Sequence, residues 1–146
     1  MSFFNSLNVS ASGMTAQRLR TDIISQNIAN VNTTRGEGGE PYVRQTVVFS
    51  EKTNNKFDSV LNASLGKSGK GVKVTSIVKD TKTDMKKVYD PSNPDADEDG
   101  YVTYPNVDVV TEMTNMIDAS RAYEANVTAF NSSKAMLSKT LELDAK

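Results

Sequence analysis

The sequence predicts a mainly α-helical protein with a small β element. In this fold class the N- and C-terminal helices pair as a coiled coil, and the middle segment forms a small β-rich region. Two observations lead to this prediction. Apolar residues recur at helical spacing at both ends of the chain, whereas β-branched residues and turn formers dominate the middle. Two domains are predicted. Residues 1–34 and 106–146 together form the helical coiled-coil domain, and residues 35–105 form a small domain of strands and loops.

The C-terminal segment carries the stronger helical pattern. Its apolar residues are separated alternately by four and three positions, with two polar interruptions at Ser120 and Lys134. An average spacing of 3.5 residues is that of a coiled-coil seam. The predicted seam consists of Val109, Met113, Met116, Tyr123, Val127, Phe130, Leu137 and Leu141. We expect these side chains to form an assembly interface, in a bundle with several neighbours or, alternatively, in an ordinary two-stranded dimer.

The start of the C-terminal helix is marked by its residue types. Pro105 disfavours helix before it, and Asn106 is a residue type that commonly caps a helix N-terminus. Asp108 and Glu112 follow where the positive end of the helix dipole favours acidic side chains. The helix is expected to run to about Asp144.

The N-terminal helix is predicted from Ser2, its expected cap, to about Asn32. The polar face carries only three charged side chains within residues 1–34, namely Arg18, Arg20 and Asp22. Amides and hydroxyls are easier than charges to remove from water when each finds a hydrogen bond. We therefore expect several faces of this helix to contact protein. The alternative is a flexible polar N-terminus that does not fold alone.

The middle segment contains four stretches with the pattern of strands. They are residues 42–49, 71–79, 86–89 and 100–104. Between the first two, Glu51 to Lys70 is rich in Asn, Ser, Lys and Gly and is predicted to be a mobile loop. Four short strands form too small a β element to be stable without help from the helices.

Composition excludes several kinds of site. The 146-residue chain has no cysteine and no histidine, which removes thiol nucleophiles, disulfides and the commonest general base. Its net charge of −1 gives no overall field that would attract nucleic acid or an anionic membrane. No apolar run approaches the ~20 residues that a membrane-spanning helix needs. The N-terminus lacks the regions of a cleavable secretory signal, which by itself favours the cytoplasm.

An acidic run resembles the opening of a calcium-binding loop. Asp95, Asp97 and Asp99, followed by Gly100, match the D-x-D-x-D-G pattern of an EF-hand. The bidentate Glu that closes such a loop at its twelfth position is replaced by Asn106. An acidic surface turn is therefore the favoured interpretation. A calcium-responsive binding module built on these three aspartates is the alternative from a different functional class.

Lysines are scattered through the middle segment and offer the best case for nucleic-acid binding. They are Lys52, Lys56, Lys67, Lys70, Lys73, Lys79, Lys82, Lys86 and Lys87. Aromatic residues do not interleave with them, and no glycine-rich phosphate loop is present. A solvated surface explains the pattern, so no nucleic-acid partner is predicted.

The end of the N-terminal helix carries a specific motif. The run Ile23 to Thr34, IISQNIANVNTT, resembles the N-terminal signature of bacterial flagellar rod and hook proteins, N-x-A-N-x-x-T. Its core is occupied here by Asn27, Ala29, Asn30 and Thr33. The family usually continues with a glycine and an aromatic residue, whereas this chain continues Thr-Arg-Gly-Glu.

Two further blocks resemble the proximal-rod members of the same family. Residues 88–107 are similar to the Asp/Pro-rich segment that is typical of those members. Residues 112–127, EMTNMIDASRAYEANV, are similar to the first half of their C-terminal helix. The three blocks occur in the family's order, and the short chain suits a proximal-rod subunit. A distal-rod or hook-type protein, the alternative within the family, would have a larger middle domain.

The resemblance implies a structural protein with no catalysis, cofactor, metal or small-molecule substrate. Family members pair their terminal helices around the channel of a helical, torque-transmitting shaft. The implied partners are other rod subunits, copies of this chain and the flagellar type III export apparatus. Family members pass through that apparatus unfolded, without a cleaved signal peptide. The implied location is the flagellar basal body outside the inner membrane, in the periplasm or cell-wall zone.

The first residues resemble a further family feature. Phe3 and Leu7 have the spacing of the short hydrophobic export-gate motif of rod and hook substrates. A role in the helix seam is the alternative for the same two residues.

Overall fold

The computed structural model of the protein describes residues 3–36, 38–52, 60, 64 and 70–144. Two long helices lie at the ends of the chain and four short strands lie between them. The elements are α1 (Phe3–Ala29), β1 (Gln45–Glu51), β2 (Val72–Lys79), β3 (Lys86–Tyr89), β4 (Tyr101–Tyr104) and α2 (Val109–Asp144). The predicted fold class, mainly helical with a small β element, is confirmed. The predicted cap Ser2 lies outside the described residues, as does most of the predicted loop between β1 and β2.

Both helices are shorter than predicted at one end. α1 stops at Ala29 because the backbone then turns, with Thr33 N donating to Asn30 O at 3.1 Å. α2 starts at Val109, and Asp108 caps it by accepting a hydrogen bond from Thr111 N at 3.0 Å. The prediction that Asn106 is the cap was wrong. Its side chain is instead used in contacts away from the helix.

The strands form two separate two-stranded sheets, β1 with β2 and β3 with β4. The second sheet is antiparallel, with Lys86 opposite Tyr104 and Tyr89 opposite Tyr101. β1 begins three residues later than predicted because the backbone N–H groups before it have other partners. The N–H of Tyr42 donates to Thr33 O, in the turn after α1. The N–H of Arg44 donates to the side-chain oxygen of Asn106.

The chain divides into two compact units, and each contains part of both helices. The first comprises Met1–Leu19, Val48–Ser76 and Ala119–Lys146, and the second comprises Arg20–Val47 and Ile77–Asp118. The predicted domain boundaries, which assign the helices and the middle segment to different domains, stay a prediction.

In the first unit, small side chains bring α1 and α2 together. The hydroxyl oxygens of Ser6 and Ser133 lie 3.4 Å apart. Seven residues further along α1, Gly13 lies so close to Asn126 that a Cβ atom at Gly13 would be 2.6 Å from Asn126 Oδ1. In both contacts, position i of α1 faces position 139 − i of α2. The two helices are therefore antiparallel within this unit.

The start of β2 is held against α1 in the same unit. Ser12 Oγ accepts a hydrogen bond from Val72 N at 3.0 Å and donates one to Val9 O at 2.7 Å. Gly71, with φ of +111°, brings the chain in close to Ser12. A side chain at that position would be strained by the backbone conformation and would meet the Ser12 hydroxyl.

In the second unit, α1 and α2 follow the same facing rule. Asn27 and Glu112, whose numbers also add to 139, are joined by a hydrogen bond. The buried apolar residues of this unit are Ile23 and Ile24 of α1 and Val102 of β4. The same unit also buries three polar side chains, those of Asn27, Asn106 and Glu112.

Candidate functional site

Asn27 uses its whole side-chain amide in buried contacts. It is 0% exposed, and its Nδ2 donates to Gln45 O and to Glu112 Oε2, both at 2.8 Å. Its Oδ1 accepts from Tyr42 OH at 2.9 Å and from Gln45 N at 3.0 Å. Two donors and two lone pairs are all that an asparagine amide has. Asn27 therefore pairs with the β1 backbone as a neighbouring strand would, while it also contacts α2.

Glu112 is a buried carboxylate whose charge is matched by one arginine. It is 1% exposed, and its Oε1 accepts from Arg44 Nη2 at 2.7 Å and from Arg44 Nε at 2.9 Å. Arg44 also lies 3.5 Å from Asp80 Oδ2. A buried carboxylate is tolerated only when such partners replace water. The guanidinium thus holds β1 against α2.

Asn106 completes the site from the turn before α2. Its Oδ1 accepts from Arg44 N at 2.9 Å, and its Nδ2 donates to Asp80 O at 2.7 Å and Thr83 O at 3.1 Å. We use the term polar junction for Asn27, Tyr42, Arg44, Gln45, Asn106 and Glu112. The polar junction joins α1, β1, the turn after β2 and the start of α2 within one unit.

The polar junction shifts the ionisation of its neighbours. Burial, and then the negative charge of Glu112, raise the pKa of Tyr42. The tyrosine therefore stays protonated and continues to donate its hydrogen bond to Asn27. Hydrogen bonds from Thr83 and from Lys82, helped by Arg44, lower the pKa of Asp80. Asp80 stays ionised at neutral pH and adds a second negative charge beside the guanidinium.

The other motif residues form the turn that follows α1. Asn30 Nδ2 donates to Gln26 O at 2.8 Å, and Thr33 Oγ1 donates to Asn30 Oδ1 at 3.2 Å. Ala29 is exposed at the helix end. Where this chain departs from the usual motif continuation, Thr34 Oγ1 donates to Asp95 Oδ2 at 2.7 Å. The motif thus combines one buried residue, Asn27, with a turn that is hydrogen-bonded locally.

Comparison with known proteins matches both ends of the chain to one family. The family model described as flagella basal body rod protein matches residues 7–35, and the model described as flagellar basal body rod FlgEFG protein C-terminal matches residues 98–143. The FlgC flagellar basal-body rod protein of Bacillus subtilis is 49% identical, with 98% of this chain and 99% of that protein covered. The FlgC proteins of Borreliella burgdorferi and Escherichia coli O6:H1 are 48% and 41% identical, with 98% of both chains covered in each case.

This chain belongs to the FlgC family of flagellar basal-body rod proteins. The resemblance inferred from the three sequence blocks is confirmed. Asn27 lies within the first matched segment and Glu112 within the second, whereas Arg44 lies in neither. The polar junction therefore connects both family segments of this FlgC-family chain through a residue of the middle region.

The predicted seam of α2 is divided between half-buried and exposed positions. Half-buried are Met116, Val127, Phe130 and Leu137, and exposed are Val109, Met113, Tyr123 and Leu141. The contacts with α1 are made in part by residues that lie one position before those of the predicted repeat, namely Glu112, Asn126 and Ser133. The role of the predicted seam in assembly stays a prediction.

Two of the three aspartates in the proposed calcium loop, Asp95 and Asp97, have carboxylates that accept hydrogen bonds from nearby residues. Asp95 accepts from Thr34 and lies 3.5 Å from Arg35 Nη1, and Asp97 Oδ1 accepts from Asp99 N and Tyr101 N. Among the described residues, no group of three or more Asp, Glu, His or Cys side chains is arranged to hold a metal ion. The geometry favours the acidic turn over the calcium-binding alternative.

The proposed export residues are only partly covered by the structure. Leu7 is half-buried on α1, and the side chain of Phe3 lies outside the described residues. Within the described part of the chain, neither helix is long and apolar enough to cross a membrane.

Sequence reasoning missed most of the polar junction. Glu112 was interpreted as a helix-dipole residue and Asn106 as a cap, and Arg44 was noted only as part of a strand. One signal was available, because Arg44 is the only charge within residues 42–49. A lone charge inside an apolar strand predicts a buried partner, but it does not say which carboxylate the fold supplies.

Proposed function

We propose that this FlgC-family protein is a structural subunit of the proximal rod, which assembles helically with copies of itself and with other rod subunits. The shaft so formed would surround the export channel and transmit torque. Full-length similarity to FlgC proteins supports the rod role. The near-complete coverage of both chains favours it over a distal-rod or hook-type protein, which would need a larger middle domain. The role is mechanical, and no catalytic step is assigned to any residue.

The observation that carries the proposal is the apolar surface of α2. In the second unit, Val110, Met113 and Ile117 are 72%, 55% and 53% exposed. In the first unit, Met136, Leu141 and Leu143 are 61%, 63% and 71% exposed. Several large exposed apolar side chains on one helix indicate a surface that contacts protein. Neighbouring rod subunits are the partners that the family supplies.

The polar junction suits a subunit that carries load. Charge-assisted hydrogen bonds from one guanidinium to a buried carboxylate are stronger and more directional than neutral ones. Together with the hydrogen bonds of Asn27 to Gln45, they hold the start of β1 to α1 and α2 within the second unit, so a force on one of these elements is passed to the others. The predicted pairing of the terminal helices is supported by the antiparallel contacts inside the first unit and by the hydrogen bond of Asn27 to Glu112 inside the second.

We also propose that the chain reaches the basal body through the flagellar type III export apparatus, without cleavage of a signal peptide. Its site would then lie outside the inner membrane. Phe3 and Leu7 are the proposed export residues. Alanine at both positions should reduce secretion into the medium by a strain that lacks the hook, while the purified variant keeps its helical circular dichroism. Unchanged secretion would assign the two residues to helix packing alone.

The assembly proposal is tested by charges on the exposed face of α2. Met113→Lys or Ile117→Lys should leave the stability of the purified subunit nearly unchanged and abolish motility and rod formation in a strain that lacks its own copy of the gene. Met113→Leu and Ile117→Val are the matched controls, since they change the same two positions and keep the face apolar. Full motility of both lysine variants would contradict an assembly role for this face.

A further inference from the structure

The contacts between α1 and α2 repeat every seven residues. Ser6 and Gly13 are one heptad apart, and Asn27 lies two heptads beyond Gly13. Their partners Ser133, Asn126 and Glu112 have the same spacing in reverse. A contact surface of period seven looks alike after a shift of seven residues, so helix pairs with this repeat need a feature that fixes their register.

A slip of one heptad would still give the charged side chains of the helices acceptable partners. With position i facing 132 − i, Ser6 would face Asn126 and Gly13 would face Ala119. Both pairs are small or polar, as in the observed register. The same slip would bring Arg20 opposite Glu112, which supplies the buried carboxylate with a cation. The charges on the helices therefore do not select the observed arrangement, and the steric feature that favours it is the close contact of Gly13 with Asn126, where the slip would place Ser6.

We propose that the polar junction selects the helix register, with Arg44 as its deciding residue. Asn27 and Glu112 face each other only where position i faces 139 − i. In the slip described above, Asn27 would lie beyond the start of α2. In the opposite slip, Glu112 would lie beyond the end of α1. Either slip leaves a buried amide or carboxylate without its partner, which is among the larger penalties in a folded protein.

Arg44 outcompetes Arg20 for Glu112 because its own position is fixed. Its backbone N–H donates to Asn106, and its guanidinium gives two hydrogen bonds to one oxygen of Glu112. Gln45 also pairs with Asn27 through both of its backbone groups. The start of β1 therefore contacts α1 and α2 at once, and both sets of contacts form only when the helices are aligned in the observed register. The register is thus set by Arg44 and the start of β1, and not by the charges of the helices that they align.

The absence of native cysteine makes the register directly measurable. In the full-length monomer, Ser6→Cys with Ser133→Cys reports the observed register, since the two hydroxyls lie 3.4 Å apart. Ser6→Cys with Asn126→Cys reports one slip, and Ser6→Cys with Thr140→Cys reports the other. Under mild oxidation at low protein concentration, we expect the first pair to close at least about tenfold faster than the other two.

The deciding experiment introduces the same cysteine pairs into variants of the polar junction. In Arg44→Met, cross-linking of 6 with 126 should rise to within about threefold of 6 with 133, because Arg20 faces Glu112 only in the slipped register and then supplies the carboxylate with a cation there. Adding Arg20→Met should remove that gain. If the Arg44→Met chain loses its helical circular dichroism, Asn27→Leu with Glu112→Leu serves instead, because it removes the polar groups without leaving a buried charge.

One result overturns the proposal. If folded junction variants keep the tenfold preference for 6 with 133, the register is fixed elsewhere, with the contact of Gly13 and Asn126 as the remaining feature. The measurement is made on the monomer, so its outcome is independent of rod assembly.

Discussion

Asn27 of α1 and Glu112 of α2 share a buried hydrogen bond of 2.8 Å, although 85 residues separate them in the chain. Neither residue is fully paired by the other. The amide needs the backbone of Gln45, and the carboxylate needs Arg44. The two family segments at the ends of the chain therefore depend on the middle region to satisfy their most buried polar groups.

Arg44→Met should destabilise the protein strongly. The substitution leaves Glu112, which is 1% exposed, without a cation, and removal of one partner of a buried ion pair typically costs about 3–5 kcal/mol. Urea denaturation followed by circular dichroism at neutral pH measures this free energy of unfolding.

Two companion variants test whether burial is the reason. Arg44→Met with Glu112→Met removes both charges and should recover most of the loss, since an apolar replacement of a buried pair is often nearly neutral. Lys139→Ala breaks the exposed pair with Glu142 and should change stability by less than about 1 kcal/mol. Equal losses in Arg44→Met and Lys139→Ala would contradict the assignment of Glu112 as a buried, dependent charge.

Asp108→Asn should reduce the loss of stability that the protein shows as the pH becomes acidic. Hydrogen bonds from the side chain and backbone of Thr111 lower the pKa of Asp108 in the folded protein. A lowered pKa contributes stability above the unfolded value of about 3.9, and that stability is lost as the pH falls through the folded value. Asparagine caps a helix nearly as well, so the variant should match the wild type at pH 7. The check is thermal unfolding between pH 2 and 7.

Tyr42→Phe should remove part of the alkaline loss of stability. The raised pKa of Tyr42 means that the unfolded chain ionises first. The stability from this group is present below about pH 10 and is lost as the pH rises through the folded pKa. At neutral pH the variant should lose about 1 kcal/mol, because the hydrogen bond to Asn27 is gone.

The alkaline experiment has an internal control. Urea midpoints at neutral pH and above pH 10 are compared for Tyr42→Phe and for Tyr89→Phe, whose ring is 64% exposed. Only the first variant should differ from wild type in its pH dependence. The same slope for all three proteins would contradict the raised pKa of Tyr42, whose main cause is burial.

Whether Gly13→Ala stabilises or destabilises the protein should depend on Asn126. Alanine in place of glycine within a helix usually stabilises by about 0.5–1 kcal/mol. Here the new methyl group would lie 2.6 Å from Asn126 Oδ1, so that gain should be lost or reversed. In an Asn126→Ala background the full gain should appear. A double-mutant cycle by urea denaturation measures the coupling, and additive effects would mean that the two helices do not approach closely at this point.

The sequence predicted well whatever depends on neighbouring residues. Strands β3 and β4 lie where alternation and turn residues place them, and the motif from Asn27 to Thr33 does end the first helix. The start of α2 was less well predicted, because Asn106 and Asp108 are both good caps and their tertiary contacts decide between them. Asp108 was available to the helix, whereas Asn106 was engaged by Arg44 and by the turn after β2.

By itself the sequence determined the fold class, the positions of the helices and strands, and membership of the rod family, since these follow from periodicity and from motifs of adjacent residues. Only the tertiary structure decided that Arg44, Asn27 and Glu112 meet, and that position i of α1 faces 139 − i of α2 within each unit. A contact surface that repeats every seven residues does not by itself fix the register of the two helices. In our proposal, a long-range polar contact, which no local pattern encodes, fixes that register.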